Sequence, residues 1–192
     1  MIAVWCWFFA VSCADGMQPL LEAHTTPTAV ADSVLEKREA PPFVMREIFS
    51  DSAVFLKDYA GKTLRESWKK KTKHVVVLSY WATWCLPCMA EIPMLTDLSK
   101  EFNGQKVKFF LVNTLEEQTV TEDSVRAIYT RRGYSLPCLV DAGNRFSGLY
   151  KVRSLPRLFI IDKQGMIRSE IRAFTRKDVD SLRTTIHRLA LE

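Results

Sequence analysis

Three short runs of apolar, mostly β-branched or aromatic residues recur along the chain, at 75–80 (VVVLSY), 107–112 (VKFFLV) and 158–162 (LFIID). Each is nearly continuous rather than alternating, the pattern of a strand covered on both faces. Between the first two, helical spacing brings Ile92, Leu95 and Phe102 near one face and predicts a helix over about 86–102. A second helix is expected over about 120–132, with Thr119 and Glu122 at capping-box spacing. The third, over about 176–190, is the clearest. Thr175 and Asp178 have capping-box spacing, and Val179, Leu182, Ile186 and Leu189 form one apolar stripe. Asp162-Lys163-Gln164-Gly165 reads as a turn into an antiparallel partner at about 166–173. With a short strand around Cys138, the order is strand, helix, strand, helix, short strand, strand pair, helix. That alternation predicts an α/β sandwich around a central sheet.

Ahead of this pattern the chain is different. Residues 1–14 form an apolar run of signal-peptide length, too short to span a bilayer comfortably, with no lysine or arginine before it. Two processing readings stay open. Ser12-Cys13-Ala14 loosely fits a small-x-small cleavage site, whereas Val11-Ser12-Cys13 resembles a lipobox in which Cys13 becomes the lipidated first residue. A buried N-terminal strand or helix is the alternative to export. Residues 15–40, with Thr25-Thr26-Pro27-Thr28 and no strong periodicity, read as a tether. Pro41-Pro42-Phe43 opens the domain expected to fill 41–192.

Composition narrows the function. With 192 residues, 47% of them hydrophobic, the chain has apolar mass for a proper core, and its net charge of +5 is modest. The one basic block, Lys69-Lys70-Lys71-Thr72-Lys73, has no interleaved aromatic residues and reads as a solvated turn, not a nucleic-acid surface. Of five cysteines (Cys6, Cys13, Cys85, Cys88, Cys138) only Cys85 and Cys88 have a chemically meaningful spacing. One C-x-x-C without a second ligand pair is too little for structural zinc, since His24, His74 and His187 lie far from it in sequence. No flavin, nicotinamide or metal motif is visible, so no cofactor is expected.

Cys85 follows a predicted buried strand and begins a predicted helix. Unpaired backbone N–H groups and the positive end of the helix dipole favour negative charge there, which stabilises a thiolate. The thiolate is the attacking species in disulfide exchange. Cys85 is therefore the expected nucleophile and Cys88, one turn on, the resolving thiol. Pro87 suits the first helical turn, where its missing N–H costs little.

The string Trp81-Ala82-Thr83-Trp84-Cys85-Leu86-Pro87-Cys88, followed by Glu91-Ile92-Pro93, resembles the thioredoxin superfamily, specifically its TlpA-like branch of extracytoplasmic thiol–disulfide proteins. Pro41-Pro42-Phe43 is similar to that branch's opening motif, and Ser154-Leu155-Pro156 to its cis-proline loop opposite the dithiol. The resemblance covers roughly residues 41–190. It implies a thioredoxin-like three-layer sandwich with a central mixed β-sheet, an N-terminal β-hairpin extension and an inserted element between the second strand and helix. It also implies work as a reductant, often in cytochrome c maturation; a monomer is expected. Its partners would be protein thiols and disulfides, an upstream membrane electron donor and, through the N-terminal anchor, a membrane.

The resemblance assigns further residues. Trp84, Leu155 and Pro156 are expected to meet substrate, Pro156 being preferred over Pro137 for the cis bond because a strand and hairpin follow it. Glu91, three residues after Cys88, is expected near the dithiol with a raised pKa, exchanging protons with Cys88; an exposed helical glutamate is the plain alternative. Pro93 is expected to kink its helix. Trp81 reads equally as site wall or core. Arg157 stands where the family tends to place a small residue, and three readings stay open: a partner for the Cys85 thiolate, a partner for an acidic protein, or a solvent-facing side chain. Cys138 reads as a buried strand cysteine, with a third redox thiol as the minority view.

Competing functions are a thiol oxidase, whose direction the Leu86-Pro87 dipeptide does not fix, and a metallochaperone, which usually has C-x-x-x-C spacing and a remote histidine. A peroxidase would need a threonine–cysteine arrangement that Thr83-Trp84-Cys85 does not offer.

Overall fold

The computed structural model describes residues 38–65 and 72–192. The predicted signal at 1–14, Cys13, the tether up to residue 37 and Lys69–Lys71 of the basic block lie outside them. Among the described residues eight strands make one mixed sheet. In chain order they are β1 (Arg38–Glu39), β2 (Val44–Glu47), β3 (Ala53–Phe55), β4 (Val75–Trp81), β5 (Val107–Asn113), β6 (Cys138–Val140), β7 (Arg157–Ile161) and β8 (Met166–Ile171). Their spatial order is β1-β8-β7-β4-β5-β6-β2-β3. The predicted strands β4, β5 and β7 sit at the centre and are buried along almost their whole length, as continuous apolar runs require. β4, β5 and β6 run parallel, whereas β7 runs antiparallel to β4.

Among the described residues four α-helices cover the sheet: α1 (Leu86–Glu101), α2 (Glu122–Arg131), α3 (Arg145–Leu149) and α4 (Val179–Leu191). One face packs Ile92, Leu95 and Leu98 of α1, Val125 and Tyr129 of α2 and Leu182, Ile186 and Leu189 of α4 against Val75, Val77, Leu158 and Ile160. The other packs Phe146 of α3 and the 40–60 segment against Val76, Leu78, Tyr80, Phe159 and Ile161. These are the three layers that the resemblance implies. The β2–β3 hairpin is the implied N-terminal extension and pairs with β6, while α2 and β6 form the element inserted after β5.

Several local expectations need correction. Strand pairing already involves residues ahead of 41, because Arg38 and Glu39 pair with Ile167 and Met166 of β8. Helix α2 is capped by Thr121, whose side chain accepts from the Ser124 N–H, and not by Thr119. The Thr175/Asp178 capping box does form, but it opens a 3-10 turn over Arg176–Asp178, so α4 starts at Val179. The β7–β8 turn is as predicted, with the Asp162 carboxylate accepting from the N–H groups of Gln164 and Met166. Gly165 there has a positive φ of 83° and lies against Gly61, where a Cβ would come within 3.0 Å of the Gly61 Cα. No described helix is long and apolar enough to cross a membrane.

Candidate active site

Strand β4 ends at Trp81, and Cys85 takes the N-cap position of α1. Cys85 and Cys88 are joined in a disulfide, with Cα atoms 5.3 Å apart. The Cys88 backbone N–H points at the Cys85 Sγ, 3.3 Å away. A first-turn donor of the helix is thus already aimed at the sulfur that would carry negative charge after reduction. Both cysteines are nearly covered, at 3% and 2% exposure, while Trp84, Leu86 and Pro87 around them are exposed. An apolar, exposed rim therefore surrounds the nearly covered disulfide.

The loop before Cys85 is fastened from β5. The Glu116 carboxylate accepts from the Thr83 N–H and hydroxyl, both at 2.7 Å, and from the Asn113 side-chain amide at 2.6 Å. The Trp84 indole N–H donates to the Leu115 carbonyl at 2.8 Å, and the Leu115 N–H is held by the Asn144 side chain. Sequence reasoning missed Glu116, Asn113 and Leu115, because nothing in the local pattern after β5 marks residues that act across space.

Glu91 is not an exposed helical glutamate. It is buried on α1, one turn past Cys88, and accepts from the Phe174 N–H at 2.8 Å. Burial pushes its carboxyl up to about 7, against the opposing pull of that hydrogen bond. Pro93 lies within α1 and leaves the Met89 carbonyl without its usual i+4 donor. The Tyr134 hydroxyl approaches that carbonyl at 3.5 Å, and its ring packs edge-on against Trp81.

The Leu155–Pro156 peptide is cis and Pro137 is not, as preferred. Pro156 is buried, and Leu155 is half-buried between the two packed faces. Arg157 fits none of its three expectations. Its guanidinium is buried and donates to Glu170 at 2.6 Å and Ser154 at 3.0 Å, and Arg38 donates to the other Glu170 oxygen at 3.1 Å. On β7 it alternates onto the Phe159 face, away from the layer holding the cysteines. Trp81 is fully buried and belongs to the core as well as the site wall. Cys138 is a free, buried strand cysteine whose thiol burial pushes up to about 12, which makes it inert. Among the described residues no three His, Cys, Asp or Glu side chains cluster to hold a metal ion.

Comparison with known proteins agrees with this geometry. Residues 38–170 match the AhpC/TSA family. The thiol-disulfide oxidoreductase ResA of Bacillus thuringiensis is 30% identical over 134 residues, which span 70% of this chain and 68% of that protein. Among solved structures, the exposed lipoprotein thioredoxin of Streptococcus pneumoniae superposes with a TM-score of 0.62 at 26% identity, over 78% of this chain and 100% of that one. StoA of Bacillus subtilis superposes with a TM-score of 0.59 at 16% identity, over 76% and 96%, a likeness of fold alone.

Proposed function

The chain belongs to the AhpC/TSA family and, within it, to the thiol–disulfide oxidoreductases related to ResA, and from that premise we propose that it reduces protein disulfides through Cys85 and Cys88. In the reduced enzyme the Cys85 thiolate attacks one sulfur of the substrate disulfide. A mixed disulfide forms and one substrate thiolate leaves. Cys88 then passes its proton to the Glu91 carboxylate and attacks the Cys85 sulfur. The Cys85–Cys88 bond forms, the mixed disulfide breaks, and the second substrate sulfur departs as a thiolate, which takes up the proton held by Glu91 or one from water. Two electrons have moved from the enzyme dithiol to the substrate. An upstream dithiol donor at the membrane returns them.

The observation that carries this reading is the disulfide at the head of α1, with the Cys88 backbone N–H aimed at the Cys85 sulfur and, one turn past Cys88, a buried carboxyl pushed up to about 7. Trp84, Leu155 and Pro156 are the surfaces for an extended substrate segment. A peroxidase reading is disfavoured, because the Thr83 hydroxyl is committed to Glu116. The proposal extends to work outside the cytoplasm, with the N-terminal run at 1–14 as signal or anchor, Cys13 as its lipidation site and cytochrome c maturation as the setting. Its support is that run together with the likeness to an exposed lipoprotein.

The test is capture. A Cys88→Ala variant expressed in the native host accumulates mixed disulfides through Cys85 that reductant releases; absence of any adduct contradicts the proposal. Equilibration with glutathione fixes the direction, since a reductant stays oxidised against a strongly reducing buffer where an oxidase does not.

A further inference from the structure

Strands β4 and β5 end, and β7 begins, at the end of the sheet that carries the dithiol, because Tyr80 stands opposite Arg157 and Trp81 opposite Asn113. Four cations sit on the loops there. Arg153 lies three residues before Pro156, Arg172 two before Phe174, and Arg176 and Lys177 just after it. Phe174 is fixed to Glu91, one turn past Cys88, so its loop borders the site. All four side chains belong to exposed residues, and none makes a salt bridge or side-chain hydrogen bond among the described residues.

The acids at this end are engaged. Glu116 holds Thr83 and Asn113, Asp178 closes the capping box with Thr175, and Glu170 lies between Arg157 and Arg38. Glu116 and Asp178 bond only neutral donors and keep their charge, and exposed Glu117 adds a third, so the four cations exceed these three carboxylates by one. The positive end of α1 adds to the same sign. Like charges left unpaired on one rim repel each other, and an acidic partner relieves that repulsion as it docks.

We propose that this rim selects the partner, and that the substrate segment carries acidic residues beside its cysteine. The proposal rests on the disulfide-reductase reading and names its substrate class. Charge of this kind acts chiefly on encounter, so it raises kcat/KM and fades with salt.

The experiment uses the full-length reduced protein and three synthetic peptides, each with one internal disulfide, flanked by Glu, by Lys or by Gly and Ser. The Glu-flanked peptide is reduced with a kcat/KM about tenfold above the Lys-flanked one at low salt, and the gap closes in about 0.5 M NaCl. In an Arg153→Glu/Arg172→Glu/Arg176→Glu variant the preference reverses. Equal rates for the two charged peptides, or a preference that salt does not touch, overturn the proposal. If the uncharged peptide is not reduced at all, the reductase reading itself has failed and this inference falls with it.

Discussion

Glu116 accepts two hydrogen bonds from Thr83, one from its backbone N–H and one from its hydroxyl, each at 2.7 Å. The two residues are 33 positions apart, and their pairing fixes the loop that leads into Cys85 and displays Trp84. Replacing Glu116 with Ala orphans three donors, which costs about 1–3 kcal/mol. The expected result is a KM for a protein disulfide raised several-fold, with kcat changed less and altered Trp fluorescence. Glu116→Gln, which keeps an acceptor, recovers part of the loss. Unchanged KM and fluorescence in Glu116→Ala would contradict this positioning role.

The second prediction concerns pH and stability. The Glu91 carboxyl titrates near 7 in the fold against an ordinary value of 4.5. Between those values the folded chain keeps the proton that the unfolded chain has lost, so stability falls as pH rises through that window. The total is about 3 kcal/mol. A Glu91→Gln variant is therefore more stable than the parent at about pH 8 and equal to it at about pH 4. Thermal melts at both pH values check this, and a shift of the same size at both would refute it. The same substitution lowers turnover by about a hundredfold if Glu91 takes the Cys88 proton.

Cys138 tests whether a third thiol takes part. Its thiol is fully buried and held up at about 12, so iodoacetamide leaves it unmodified in the folded, reduced protein and labels it after unfolding. Peptide mapping reads the outcome. Cys138→Ala keeps disulfide reduction within about twofold of the parent, since an inert thiol takes no part in exchange. A larger loss of activity with an intact fold would return Cys138 to the redox chemistry.

Arg157 is an ion pair rather than a docking charge. Replacing it with Ala leaves Glu170 half-paired with Arg38 in a largely buried place and is expected to cost about 2–4 kcal/mol, visible as a lower denaturation midpoint. Its partner preference at the dithiol stays as before, because its charge is already spent on Glu170. Loss of peptide selectivity without loss of stability would point the other way.

Much of this architecture was legible from pattern. The runs at 75–80, 107–112 and 158–162 became the three central strands because a doubly covered strand has no polar face to disguise it. The stripe ending in Leu189 and the Thr175/Asp178 box were equally plain, as both are local. What escaped was short or non-local. Helix α3 has five residues, too few to show a period, and β1 has two whose pairing partner is more than a hundred positions away. The site divides in the same way. Cys85, Cys88, Glu91 and Pro156 stand in a contiguous motif or a familiar loop, whereas Glu116 and Tyr134 reach it only through folding. Arg157 was misplaced because its acid, Glu170, lies on the neighbouring strand and no local signal announces the pair.

The most direct test of the account is insulin-disulfide reduction by the reduced protein and its Cys85→Ala variant, compared under one electron donor. The account predicts that the parent is active and that the variant falls to the uncatalysed rate while retaining its fold. A folded Cys85→Ala protein that reduces insulin as fast as the parent would contradict it.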